Sequence, residues 1–335
     1  MPLFGRDLGI SLGTVNTMIC EAGEIVLHEP TVVAIVTDEL KIVEVGQAAR
    51  DMYGRVPESI EVMRPMRDGV IADFEVTQRM LGHFIELVCG STRLFKPRVM
   101  ITVPFGVTSV ESRAVHEAAM QAGSREVFLI QEPLAAAIGV GLPIATPSGN
   151  MVVVVGGGVT SATVLAMSGI VAADAVRVGG TKLDDAIATY VRKKHGLVIG
   201  TRTAEEVKIQ IGAAIPQEDN RSLEIQGQDQ VTGLPRTIVL TSAEVVEALQ
   251  EPLGMLLVAV RNVLERTPPE LASDIIDRGM VVCGGSALLR GIDKWLTRET
   301  GVPAYLAEEP TTCIAQGAFR GLGMLERLRR TLPSV

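Results

Sequence analysis

The sequence has little of what marks a secreted, metal-binding or nucleic-acid-binding protein. Its four cysteines, Cys20, Cys89, Cys283 and Cys313, are far apart and form no Cys-x-x-Cys pair. That spacing argues against a disulfide framework or a zinc site and fits a reducing cytosol. The four histidines, His28, His83, His116 and His195, are equally scattered and read as ordinary packed or surface residues. Positive charge is not in excess. Lys and Arg number 31 against 39 Asp and Glu, for a net charge of −8, which disfavours a general nucleic-acid binder. No Gly-Lys-Ser or Gly-Lys-Thr occurs, and no Gly-x-Gly-x-x-Gly opens a helix after a strand. A P-loop and a dinucleotide fold are therefore both poor readings. The first six residues are too short for the apolar core of a secretion signal.

What is present is apolar and long. Hydrophobic residues make up 47% of 335, enough for two domains with their own cores. Residues 151–173 carry no charge and could span a bilayer by length alone. The run holds Gly156-Gly157-Gly158 in its first third and is otherwise rich in Val, Thr and Ala. It reads as two buried strands joined by a glycine turn.

The organisation is α/β. Strands are expected at 8–12 and 17–20 around a tight turn at Gly13-Thr14, then at 24–27, 32–36 and 41–45. Residues 80–88 have helical spacing, and 98–103 form an apolar strand. Thr108 and Glu111 have the form of a capping box for a helix running through Ala122 and stopping at Gly123. A strand at 127–130 and a helix at 133–139 follow. After the turn cluster Pro147-Ser148-Gly149-Asn150 the pattern restarts with strand, glycine turn and strand, which points to two related halves. Thr203 and Glu206 form a second capping-box candidate for a helix to about 214. Hairpins are expected in 220–241, a helix interrupted at Pro252 in 242–265, a strand at 280–282 and a final amphipathic helix at 320–332.

Two glycine turns carry the chemistry. Gly9-Ile10-Ser11-Leu12-Gly13-Thr14 and Val153-Val154-Val155-Gly156-Gly157-Gly158-Val159-Thr160 each follow an apolar run. Glycine lets backbone approach a ligand without a Cβ in the way, and successive N–H groups in such a turn form an anion-binding concavity. A plain hairpin turn is the alternative for either one alone. Neither loop carries a carboxylate suited to Mg²⁺.

The order of the pieces is more specific. A Gly-x-x-x-Gly-Thr turn, Glu132-Pro133 before a small-residue helix, a triglycine hairpin and Gly284-Gly285-Ser286 together resemble the actin, Hsp70 and sugar-kinase superfamily. Within it the chain is similar to the MreB/Mbl family of bacterial actin-like shape-determining proteins. The matching runs include Asp7-Leu8-Gly9-Ile10, Arg64-Pro65-Met66, Asp68-Gly69-Val70-Ile71-Ala72-Asp73-Phe74, Gln131-Glu132-Pro133, Gly141-Leu142-Pro143 and Arg202-Thr203-Ala204-Glu205-Glu206-Val207-Lys208, spread from about residue 7 to 325.

The resemblance implies an actin-like, ribonuclease H-like duplicated fold of two lobes with a nucleotide cleft between them. Lobe I would be 1–148 plus about 310–335, and lobe II 149–309 with a smaller inserted subdomain at about 182–240. It implies ATP as ligand, with Gly13, Thr14, Val15 and Asn16 as the first phosphate turn and Gly156, Gly157 and Gly158 as the second. Glu205, Glu206 and Lys208 would approach the nucleoside, and Gly284, Gly285, Ser286 and Ala287 would close the adenine side. Glu132 would position the attacking water. Self-association into filaments, a cytoplasmic location on the inner face of the cell membrane and cell-wall synthesis partners follow from the same resemblance. No nucleic-acid partner does.

The departures are local. The family has acids where Ser11 and Val154 stand, and a threonine where Val159 stands. Mg²⁺ favours carboxylate, phosphate and water oxygens, so the metal remains possible but its expected acids are absent. Losing one group of this kind costs about 3 kcal/mol of barrier, so slow or absent hydrolysis is expected. A non-hydrolysing partner of an active homologue is one alternative, and a kinase-like or Hsp70-like enzyme another. Leu3 and Phe4 beside Arg6, and Leu94 and Phe95 between Arg93 and Lys96, are candidate membrane contacts; the other reading packs them into the domain.

Overall fold

The fold is built from two five-stranded sheets with the same topology. It is described from a computed structural model covering residues 5–37, 41–90 and 96–333. The first sheet contains β1 (Asp7–Leu12), β2 (Asn16–Glu21), β3 (Glu24–Pro30), β4 (Arg98–Val103) and β5 (Glu126–Gln131), in the order β5-β4-β1-β2-β3. The second contains β6 (Asn150–Val155), β7 (Thr160–Ala166), β8 (Gly169–Val176), β9 (Met280–Cys283) and β10 (Ala304–Leu306), in the order β8-β7-β6-β9-β10. In each sheet the first three strands form an antiparallel meander, and the last two add in parallel. The sequence echo near residue 148 is thus a duplicated sheet. The uncharged run 151–173 lies in β6, β7 and β8. Among the described residues no helix is long and apolar enough to cross a membrane.

Alternation in the strands sorts side chains between layers. Leu8, Ile10 and Leu12 of β1 face an outer core with the helices Phe74–Cys89 and Ser109–Gln121. Val153 and Val155 of β6 face a second outer core with Gly180–His195 and the long helix Ser242–Arg266. The opposite faces, with Met100 and Ile130 from one sheet and Val152, Val154 and Cys283 from the other, share one central core. Two helices fill it, Glu132–Val140 and Cys313–Leu322.

These two helices touch through backbone. A Cβ on Gly317 would stand 1.7 Å from the Ala135 carbonyl oxygen, and one on Gly139 would stand 1.8 Å from the Cys313 carbonyl oxygen. A Cβ on Gly9 of β1 would come within 2.2 Å of the Phe319 nitrogen. Small residues at these crossings let the layers close.

Several local expectations are corrected. The 320–332 helix is instead Cys313–Leu322, a break at Gly323, and a short turn Leu325–Leu328. Its buried face begins earlier, with Ala315, Gly317 and Ala318, which carry almost no hydrophobic signal. The second capping box is not at Thr203. The short strand Leu197–Val198 ends so close to Gly200 that the next helix starts at Thr201, leaving Thr203 inside its first turn. A capping box does occur at Thr241 and Glu244, as well as the expected one at Thr108 and Glu111. The helix Ser242–Arg266 runs unbroken across Pro252.

Gly317→Ala should cost about 1–3 kcal/mol or more, because backbone rather than a flexible side chain opposes the new methyl. Gly254→Ala, in the exposed face of a helix with open space around it, should add about 0.5–1 kcal/mol. Denaturant melts of the two variants check both signs.

Candidate functional site

The two glycine turns are the same structure made twice. Gly13 N–H donates to Asn16 O at 3.1 Å, and Gly156 N–H donates to Val159 O at 2.9 Å. The turns face each other across the gap between the sheets. A Cβ on Gly157 would lie 2.4 Å from Val15 Cγ2, and one on Gly158 would lie 2.5 Å from Thr14 Oγ1. Only glycine permits this approach. The carbonyls of the second turn are held from behind: Gly180 N–H and Ser286 Oγ donate to Gly156 O, and Thr181 N–H donates to Gly157 O. The N–H groups of Thr14, Val15, Gly157 and Gly158 donate to no acceptor among the described residues. Successive free N–H groups of this kind can receive an anion.

A cavity of about 350 Å³ opens beside the turns. Gly13, Thr14, Val15, Asn16, Gly156 and Gly157 line one end, with Ser11 and Glu132. Glu205, Lys208, Gly284, Gly285 and Ser286 line the other. Gly158 lines a smaller adjoining space of about 30 Å³, together with Glu132 and Val159. Two expected residues stand apart. Glu206 is exposed and pairs with Arg202 at 3.5 Å, while Ala287 is fully buried in the second outer core. Leu3, Phe4, Leu94 and Phe95 lie outside the described residues.

Reasoning from sequence alone missed Asp184 and Arg50. Asp184 lies on the buried stripe of its helix with Leu183, Ile187 and Val191. It pairs with Lys208 Nζ at 2.8 Å, and Lys208 also donates to Gly180 O at 3.0 Å. An acid on an apolar stripe was the available signal. Arg50, from the short helix Gln47–Asp51, crosses the cleft to Glu205 at 2.7 Å, with Arg202 and Asp51 at 3.9 Å beside it.

Burial dominates the acids here. It pushes Asp184 up to about 6, against the opposing pull of Lys208. It pushes Glu132 up to about 7, with no second cause. The donor set does not fit Mg²⁺. Ser11 offers one hydroxyl, and Val154 is fully buried among Val152, Leu134 and Cys283. Ser161, opposite Val154 in the register, has a buried Oγ with no hydrogen-bond partner among the described residues. No cluster of three His, Cys, Asp or Glu suited to a metal occurs among the described residues.

Residues 5–330 match the family described as MreB/Mbl protein. The chain belongs to that family. It is 49% identical over 330 residues to the cell shape-determining protein MreB of Escherichia coli (strain K12), covering 97% of this chain and 95% of that one. The crystal structure of MreB5 of Spiroplasma citri bound to ADP superposes with a TM-score of 0.91 at 32% identity, covering 97% of this chain and 98% of that one. MreB5 bound to AMPPNP gives the same score. The MamK double helical filament, at 19% identity and a TM-score of 0.80 over 95% of this chain and 98% of that one, shares the fold. The architecture is the actin-like two-lobe fold, as expected for the MreB/Mbl family.

Asp184 has a folded pKa near 6, above the ~3.9 of an unfolded chain. Its stabilising contribution is therefore full below about pH 4 and is lost as pH rises through 6. Lys208→Met removes the compensating charge and raises that pKa further. The variant's melting temperature should fall more steeply than the wild type's between about pH 5 and 8.

Proposed function

We propose that this protein is an actin-like cytoskeletal subunit. It binds ATP in the cleft, assembles into filaments at the inner face of the cell membrane, and organises cell-wall synthesis and cell shape. Hydrolysis is weakened or absent. The observation that carries the reading is the pair of facing glycine turns with four free N–H groups, in a chain whose relative MreB5 was crystallised with ADP and with AMPPNP. Relatives named cell shape-determining proteins support the cellular role.

On this reading Gly13 to Asn16 and Gly156 to Gly158 hold the phosphates. Glu205 and Lys208 meet the nucleoside, with Glu206 close behind on the same helix, and Gly284 to Ala287 closes the adenine side. Glu132 faces the small space where an attacking water would sit. The lobes are 1–148 with about 310–335, and 149–309 with a smaller unit at about 182–240. The packing of Cys313–Leu322 against Glu132–Val140 and β1 supports that return of the chain. Ser11, Val154 and Val159 favour one second reading, a non-hydrolysing subunit that co-assembles with an active homologue. Leu3, Phe4, Leu94 and Phe95 are the proposed membrane contacts.

Purified protein should pellet as ordered filaments with ATP, alone or mixed with an active homologue, while releasing phosphate no faster than a blank. Absence of filaments under every condition overturns the cytoskeletal reading. Turnover typical of an active ATPase overturns the weakened-hydrolysis part. Ser11→Asp/Val154→Asp/Val159→Thr should raise phosphate release at least about 100-fold, the scale of one restored transition-state group. Leu94→Ser/Phe95→Ser should abolish flotation with anionic liposomes; unchanged flotation removes that loop from the membrane contact.

A further inference from the structure

Glu132 is a half-buried carboxyl group in the cleft with no charged partner among the described residues. It opens its helix directly after β5 and lines both the large cavity and the small space between the glycine turns. Its carboxyl has no ion pair or hydrogen bond among the described residues, and burial alone accounts for its shift. The cations lining the large cavity are engaged elsewhere. Lys208 is held by Asp184 at 2.8 Å, and Arg290 bonds Asp219 at 3.1 Å. Glu205 is held by Arg50. His28 lines the same cavity. The buried Cys283 thiol feels the charge of Glu132 and is raised well above its usual range, first by its contact with Cys313.

An ionised Glu132 would face the same small space as the glycine N–H groups and would repel any phosphate docked there. A protonated one presents an O–H donor instead. In most sites of this kind a divalent metal offsets phosphate charge, yet Ser11 and Val154 provide no set of oxygens for one. Building on the nucleotide-binding reading above, we propose that the cleft takes a nucleoside polyphosphate without a divalent cation, and that a proton held on Glu132 supplies the neutralisation at the phosphate end. The carboxyl already titrates near 7. Incoming phosphate charge raises it further, because a like charge disfavours the ionised form. Above neutral pH, binding then takes one proton from solvent onto a Glu132 oxygen.

The test is calorimetric titration of ADP and AMPPNP into the full chain, in excess EDTA and in excess magnesium chloride. Magnesium should not tighten binding: Kd in excess magnesium chloride should equal or exceed that in EDTA, since the cleft offers the metal no carboxylate oxygens and the metal competes for the nucleotide in solution. In EDTA, Kd should rise about five- to tenfold from pH 7.5 to 8.5, the slope of a single required proton. Glu132→Gln is neutral at every pH and should lose that rise. The terminal phosphate of each ligand has its own last ionisation, so wild type and Glu132→Gln are compared nucleotide by nucleotide and that contribution is common to both proteins. Titrations of the wild type in buffers of different ionisation enthalpy should show uptake of about one proton per nucleotide near pH 8; they decide the proton half should the variant not fold. Tenfold or greater tightening by magnesium overturns the proposal while leaving nucleotide binding intact. So does a pH profile shared by wild type and Glu132→Gln, or binding without proton uptake. No binding of either nucleotide in any buffer overturns the nucleotide-binding reading itself, and this proposal with it.

Discussion

Everything in this fold depends on how closely two helices can approach between two sheets. Glu132–Val140 and Cys313–Leu322 meet at Gly139 and Gly317, where carbonyl oxygens occupy the space a methyl would need. Protein interiors are close-packed, so a methyl inserted at a backbone contact is accommodated only by moving a whole element. The spacing of the sheets sets the gap between the glycine turns, and that gap sets the cavity. The central core is therefore the element that gives the site its dimensions, although it contributes only Glu132 and Ile314 to its walls.

Much of the architecture was legible because it is written in short-range signals. β1 alternates with period two, β6 and β7 read as uncharged buried runs, and the turn glycines sit where a tight reversal needs them. Repetition of strand, glycine turn and strand exposed the duplication before any coordinates. The terminal helix is poorly marked by leucine spacing because the middle of its buried face, Ala315, Gly317, Ala318 and Gly321 between Ile314 and Leu322, is alanine and glycine. The helix begins at Thr201, three residues before the start a Thr203 cap predicts, because a preceding strand pair, not a side-chain cap, decides where it begins.

The site was legible in part. The end of the cavity lined by the glycine turns comes from residues adjacent in sequence, and the loops alone bring them together. The other end is assembled from distant segments. Asp184 meets Lys208 and Arg50 meets Glu205 only in the tertiary structure, the latter across 155 positions. Ser11 and Val154 gain meaning from the duplication. Each stands two residues before the first glycine of its turn and on the strand face toward the central core. The two changes thus fall at the same place in both repeats. Neither half presents an acid at that place, while the backbone of the two turns has the same form.

The bond between Arg50 and Glu205 has a consequence of a thermodynamic kind. Glu205 is a wall of the cavity and at the same time the attachment point of the opposite lobe. Any molecule whose affinity depends on where that carboxylate points acts on the Arg50–Glu205 contact as well as on the cavity wall. Linkage makes the effect mutual. Whatever strengthens that contact would tighten such a molecule by the same factor with which the molecule strengthens the contact. One side chain thereby ties occupancy to shape without any bond being broken in the ligand.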